Sequence, residues 1–295
     1  MSKIKVITDS TADISAAIAK KLDIDIIPLN IFFGEEKFKD GVTITAKEVY
    51  KRTAEQKKPW PKTSQPSANE FLEFYNKIFD KGYETIFSIH VTQNMSGTLN
   101  SVNTAIKQLP KKDIIAIDSN TATISLGLTV YEVAKMVKKG NSKDEILKAL
   151  QKTIIPNIHA VGVINTLENL YRGGRIGRAK KVLGTLLNMK PLMQIKDGFV
   201  DSFGKVKGHD EAFTRFVEMT PKIFEGLAVK TIWLGYTDND TYTKQLYESI
   251  KNLPNAPEEI SIHEIGPTVG THLGPGAMLM AWIGKWNEKW FLGEK

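Results

Sequence analysis

Hydroxyl-bearing residues set beside glycine and proline supply most of the chemistry this sequence could perform. Thr63-Ser64-Gln65-Pro66-Ser67 and Ser96-Gly97-Thr98 are two such runs, and Gly266 to Ala277 sets Thr271 and His272 among four glycines and two prolines. Asp9 and Asp118 each close a short apolar run. Two kinds of chemistry fit this inventory. Ser96 and His272 could act as nucleophile and base of an acyl hydrolase, with Asp9 or Asp118 orienting the imidazole. Alternatively, hydroxyls and free backbone N–H groups could hold a small anion. No G-x-S-x-G elbow surrounds Ser96, no G-x-G-x-x-G or Walker A run occurs, and the five histidines lack paired metal-ligand spacing. Holding an anion therefore fits better than breaking bonds, and no metal or cofactor is expected. Asp9, Asp118 and Ser96 also have a simpler reading as caps of the segments that follow them.

These residues need elements to place them. Ile4–Thr8, Ile24–Leu29, Thr85–His90 and Ile114–Ile117 are apolar runs that read as strands, and helical patterns alternate with them. Thr45 with Glu48, Ser67 with Glu70 and Ser142 with Glu145 are capping-box pairs that open helices, running to Gln56, Gly82 and Thr153. Alternation of this kind predicts a parallel sheet covered on both faces, with ligands at the carboxyl ends of its strands. From about Pro156 the texture changes, with strands expected at His159–Asn165, Thr231–Tyr236 and Ile260–Glu264 and antiparallel pieces at Phe199–Val206. Helices are expected over 209–224 and 240–251. The fold class is α/β in two domains, 1–155 and 156–295. The Gly266 to Ala277 stretch reads as a tight loop, opening onto a helix from Ala277 to Trp286 whose N-terminus suits an anion.

Composition narrows the function classes. The 295 residues are 41% hydrophobic and 25% charged, with no cysteine and a net charge of +7. Disulfides, thiol catalysis and thiolate metal sites are excluded, and a reducing cytoplasmic setting is expected. No apolar run approaches a membrane span. The positive charge has no accompanying basic-aromatic motif, so nucleic acid is not expected as a partner.

Thr8-Asp9-Ser10-Thr11-Ala12-Asp13, Thr63 to Ser67, Ser96-Gly97-Thr98, Gly173-Gly174-Arg175-Ile176 and Gly266 to Ala277 together resemble the DegV family, in the family's order from residue 4 to about 280. The resemblance implies bacterial fatty-acid-binding proteins that serve as the FakB subunit of fatty acid kinase. It implies an N-terminal parallel sheet with flanking helices, a C-terminal α/β domain, and a lipid tunnel between layers. Thr63 and Ser96 would bind the carboxylate with His272 in the same network, supported by Ser64, Gly97, Thr98, Gly270 and Thr271. The carrier would have no catalytic template of its own. It would present a long-chain fatty acid to an ATP-binding, FakA-like kinase subunit for conversion to acyl phosphate, in phospholipid metabolism, with at most transient membrane contact. Arg172, Arg175 and Lys207 would dock that subunit. Two places depart from the family pattern: His90 to Met95 replaces the usual Ser-Ser pair, and Gly208-His209-Asp210-Glu211 brings acid where basic residues are common.

Physical chemistry agrees with a carrier. Burying roughly 14 methylenes at ~0.8 kcal/mol each is worth about 11 kcal/mol, well above the ~1–3 kcal/mol of a hydrogen bond to a carboxylate. The tail would supply affinity and the hydroxyls orientation. Apolar helical segments at Val182–Met193 and Phe213–Phe224 are candidates to line the tunnel.

Overall fold

A computed structural model describes residues 3–55, 59–184 and 189–293. The opening β-branched run forms β1 (Ile4–Asp9), followed by α1 (Ala16–Leu22) and β2 (Ile24–Ile27). Next comes an antiparallel unit whose three strands pattern reading missed, built around the helix expected from Thr45 and Glu48: β3 (Asn30–Phe33), β4 (Glu36–Lys39), α2 (Ala46–Ala54) and β5 (Lys62–Ser64). Its strands pair in the order β4-β3-β5. With three or four residues each, and β5 wholly polar, they carry almost no periodic signal. Asn30, directly after the second apolar run, starts β3.

α3 (Ala68–Asp80), β6 (Thr85–His90), α4 (Thr98–Ile106) and β7 (Asp113–Asp118) complete the first half, and a parallel sheet of order β2-β1-β6-β7 results. α5 (Thr123–Lys138), α6 (Lys143–Ala149), a π-helical turn (Leu150–Ile154) and α7 (Ile155–Asn157) follow. All three predicted capping boxes form. Each is a local reciprocal pair of hydrogen bonds and needs nothing from the rest of the chain. The first of these helices ends at Ala54; Gln56, where it was expected to stop, lies outside the described residues.

The second half contains β8 (Ile158–Val163), α8 (Glu168–Arg172), β9 (Lys190–Lys196), β10 (Phe199–Val206), α9 (His209–Glu225), β11 (Leu227–Tyr236), α10 (Thr241–Ile250), β12 (Glu259–Glu264), α11 (Pro267–Leu273), β13 (Met278–Gly284) and α12 (Lys289–Leu292). Its sheet has the order β10-β9-β8-β13-β11-β12, and β11 with β12 is its parallel pair. The architecture is thus a mixed α/β fold with one parallel sheet and one large mixed sheet.

α5 lies between those sheets. Every residue from Thr123 to Ala134 is buried, as expected of a helix that meets apolar surface all round. At Gly127 a Cβ would fall 2.2 Å from the Ala12 carbonyl and 2.4 Å from the Trp233 ring, so the close approach requires glycine.

Two expectations about the chain's later parts are corrected. Gly266 to Ala277, expected as a tight loop, is mostly helix. Gly266 is the extended cap of α11 and Pro267 its first residue, a position that tolerates the missing N–H. The turns come afterwards, at Gly274 (φ 73°) and Gly276 (φ 79°). The run behind it is strand β13, flanked by β8 and β11 and buried along its whole length, not a helix. A continuously apolar run suits a central strand and a buried helix equally, and periodicity cannot choose. The helix expected over Val182–Met193 is likewise replaced. A 3-10 turn ends at Val182, Leu183 is extended, and β9 begins at Lys190; 185–188 lie outside the described residues.

Candidate functional site

A cleft of about 910 Å³, counting its open mouth, runs between the large sheet and the carboxyl-side loops of the parallel sheet. Its floor is the sheet face formed by Ala160 and Gly162 of β8 with Ile164 just beyond it, Met193 and Ile195 of β9, Val200 of β10 and Leu279 of β13. The alternate residues of these strands, such as Val161, Leu192 and Met280, pack on the other side against Phe216, Met219 and Ile223 of α9. Phe213–Phe224 therefore belongs to the opposite face of the sheet and does not line the cleft.

Polar groups gather at one end. β5 brings Thr63 and Ser64, the loop after β6 brings Met95 and Ser96, the loop after α8 brings Arg175, and α11 brings Thr268 and His272. Thr63 Oγ1 lies 2.8 Å from His272 Nε2. The other imidazole nitrogen, Nδ1, is buried without a partner and abuts Gly173, where a Cβ would fall 2.2 Å from it. Burial, with the nearby Arg175 charge, pushes the His272 pKa down to about 3, so the ring is neutral. Arg175 is held by its own backbone surroundings: Nη1 donates to the Gly173 carbonyl at 2.7 Å and Nε to the Met95 carbonyl at 3.2 Å. Ser96 Oγ accepts from the Thr98 N–H at 3.3 Å and shares a 2.9 Å contact with Thr98 Oγ1. Gly97 itself caps α4, and the Gln65 amide fills the space its side chain would take, 2.7 Å from a built Cβ.

The other sequence candidates lie elsewhere. Thr271 is buried and its hydroxyl donates to the Pro267 carbonyl, while Gly270 lets the helix press on Tyr50. Neither faces the cleft, because α11 turns them toward the core. Arg172 pairs with Glu168 and stands 4.6 Å over the Trp60 ring. The Lys207 N–H donates to Glu211 Oε2 at 2.8 Å, away from the cleft. The helix dipole is also used differently from expectation. The N-terminal end of α11 meets two buried carboxylates: Gly266 N–H donates to Asp13 Oδ1 at 2.8 Å, and Asp40 Oδ1 lies near the same glycine.

The hydrolase geometry is not assembled. His272 points one nitrogen at Thr63 and none at a carboxylate. Asp118 accepts from the Gln93 and Asn120 N–H groups, and Asp9 accepts from the Thr11 and Val91 N–H groups and contacts His90 Nδ1 at 2.9 Å. His90 Nε2 continues to Ser88 Oγ and that to Tyr75 Oη, a fully buried chain of polar groups that sequence reading missed. Alternation along β6 places Ser88 and His90 on one face, which was the available signal.

Among the described residues no group of three or more histidine, aspartate or glutamate side chains is arranged to hold a metal, and no helix is long and apolar enough to cross a membrane. What the geometry offers is a deep apolar cleft with hydroxyls, a neutral imidazole and one guanidinium at a single end. That arrangement has the shape and polarity to suit an amphiphile with a small polar head.

The model of the family described as "Uncharacterised protein, DegV family" matches residues 3–285, and the chain belongs to that family. A DegV domain-containing protein of Halalkalibacterium halodurans is 30% identical over 96% of this chain and 99% of its own length. Another, from Clostridium perfringens, is 32% identical over 96% and 99%. Among solved structures, a DegV family protein from Thermus thermophilus, reported for fatty acid binding, superposes with a TM-score of 0.88 at 27% identity, covering 95% of this chain and 99% of that one. DegV from Bacillus subtilis, described as a fatty acid binding protein, gives 0.86 at 27% identity over 97% and 100%.

Proposed function

We propose that this chain binds a long-chain fatty acid in the cleft and presents its carboxylate to a kinase subunit for phosphorylation. The observation that carries the first part is the cleft's one-ended polarity: Thr63, Ser96, His272 and Arg175 at the mouth, and aliphatic side chains beyond. A carboxylate there can accept hydrogen bonds from the Thr63 and Ser96 hydroxyls, while the tail displaces water from apolar walls. The fatty acid binding reported for the Thermus thermophilus and Bacillus subtilis proteins supports the same ligand class.

Phosphoryl transfer needs an outside source of ATP and metal, since nothing at this mouth resembles a nucleotide cradle. An acidic kinase subunit docking beside the mouth, with Arg172 at its edge and Arg175 as a further contact, supplies both; Lys207, away from the cleft, falls outside that surface. The two departures from the family pattern make the partner's identity the part most worth testing. Native mass spectrometry of the purified protein tests binding: a fatty acid at close to one per chain is expected, and neither bound lipid nor uptake of added oleate after delipidation would end the carrier reading. Acyl phosphate formation with ATP and the cognate kinase subunit tests presentation. Arg172→Glu should suppress it with lipid content unchanged, and undiminished turnover would remove Arg172 from the docking surface.

A further inference from the structure

One side chain at the polar end of the cleft is left without a partner. Gln65 follows β5 directly, lines the cleft with Thr63 and Ser64, and is exposed. Its backbone is held on both sides: the Gln65 carbonyl accepts from Asn30 Nδ2 at 3.4 Å, Pro66 is buried, and Ser67 caps α3. The side-chain amide is different. Among the described residues it has no hydrogen-bond partner. It is placed instead by contact with the bare Cα of Gly97. A Cβ built there would fall 2.7 Å from Gln65 Nε2, 3.2 Å from Cδ and 3.6 Å from Oε1. The nitrogen end is therefore the part tucked beside Ser96 and Gly97.

The supply of donors at this end gives that amide a use. An ionised carboxylate has two oxygens and about four lone-pair sites. Thr63 and Ser96 have one hydroxyl proton each, and each hydroxyl already touches another group, His272 Nε2 at 2.8 Å and Thr98 Oγ1 at 2.9 Å. Arg175 commits Nη1 and Nε to the Gly173 and Met95 carbonyls, and Ser64 Oγ is engaged by Asn30 Nδ2 at 3.2 Å. Two hydroxyl protons, even when both turn to the ligand, leave the remaining lone pairs to water or to another donor. The Gln65 amide has two N–H groups with no other use among the described residues, on the exposed side of the same end.

We propose that Gln65 is a further head-group-binding residue: its amide donates to the carboxylate oxygen on the solvent side, the one the buried hydroxyl network leaves free, and so fixes which oxygen faces outward. The missing side chain at Gly97 is what lets the amide lie against the Ser96 corner. This inference rests on the fatty acid reading of the cleft. It adds a selectivity that the tail cannot supply, for a head with two oxygens over a head with one.

Palmitate and hexadecanol separate this role from a structural one, because the alcohol keeps the tail and lacks the second oxygen. Affinities for both are read by displacement of a fluorescent fatty acid from delipidated wild type, Gln65→Ala, Gln65→Glu, Gly97→Ala and the Gln65→Ala/Gly97→Ala double variant, each with a thermal melt. In Gln65→Ala, palmitate should weaken about tenfold, the size of one hydrogen bond to a charged group, and hexadecanol by less than about twofold. Gln65→Glu should weaken palmitate further, since a second carboxylate then faces the first. Gly97 has φ −76°, so Gly97→Ala carries no backbone strain, and its methyl group should displace the amide and copy Gln65→Ala. In the double variant that methyl has nothing left to displace, so palmitate should bind as in Gln65→Ala alone. Gln65 is exposed, so Gln65→Ala keeps the test valid should Gly97→Ala disturb folding. Wild-type palmitate affinity in Gln65→Ala, or equal weakening of palmitate and hexadecanol, overturns the role of Gln65 and leaves the carrier reading intact. Losses that add in the double variant overturn the placement of the amide against Gly97. A wild type that binds neither palmitate nor the fluorescent fatty acid overturns both the role of Gln65 and the carrier reading.

Discussion

Thr63 Oγ1 and His272 Nε2 meet at 2.8 Å although 209 positions separate them in the chain. The contact bridges β5 of the small antiparallel sheet and α11 of the second half, so the cleft's polar end exists only when both have folded and docked. Its tautomer has a consequence. If Nε2 accepts the Thr63 proton, an N–H at Nδ1 is left buried without an acceptor; if Nε2 donates, a lone pair is left instead. Either arrangement forfeits ~1–3 kcal/mol of hydrogen bonding, a cost that a site retains when function needs the geometry.

Replacing the hydroxyls tests the head-group assignment directly. Thr63→Val and Ser96→Ala remove a donor each without opening a large cavity, so stability should fall by only ~1 kcal/mol. Fatty acid affinity should drop about tenfold in each, read by displacement of a fluorescent fatty acid. Wild-type affinity in both variants would move the carboxylate to other residues.

A second variant reaches His272 without touching its chemistry. Gly173 has ordinary negative φ (−76°), so alanine there carries no backbone strain. Its methyl group, however, would sit 2.2 Å from His272 Nδ1. Gly173→Ala should therefore push the imidazole off Thr63, and the ring, released from burial, should titrate nearer the ordinary histidine value of 6.5. NMR titration of the His272 ring reads this; an unchanged low pKa would show that the ring is held by something other than this packing.

How far the site could be foreseen follows from what is local. Thr63, Ser96 and His272 stood out because hydroxyls and a histidine beside glycine and proline are conspicuous in any chain. The capping boxes of α2, α3 and α6 were visible because each is complete within four residues. The cleft floor was not. Ala160 and Gly162 alternate along β8, but alternation marks two faces and does not say which one borders empty space and which borders α9. β13 was misread because complete burial erases periodicity, and β5, which positions Thr63, is too short and polar to have any. The Thr63–His272 contact itself depends on the order in which distant strands pair, which no window of sequence contains.

The last prediction concerns pH, where buried groups near α11 pull in opposite directions. Burial pushes Asp40 up to about 6, outweighing the hydrogen bond from Ser10, and pushes Asp13 well above the usual carboxylate range. An acid whose folded pKa is raised from 3.8 to about 6 binds its proton more readily in the folded state, so its contribution to stability declines as pH rises through that window. His272 behaves the other way. Its folded pKa is about 3 against 6.5 unfolded, so the unfolded chain takes up a proton first and stability is lost as pH falls from about 6.5 toward 3. His159 and His263, both lowered to about 4 by burial, act in the same sense. The wild-type curve between pH 4 and 6 is the difference of these terms, each bounded at about 1.4 kcal/mol per pH unit for one proton. Asp40→Asn removes one opposing term, so acidification from pH 6 to 4 should destabilise the variant more steeply than wild type. His272→Gln should flatten the same curve. Urea denaturation at a series of pH values measures both slopes, and a shallower acid limb in Asp40→Asn would show that Asp40 is ionised in the folded protein throughout this range.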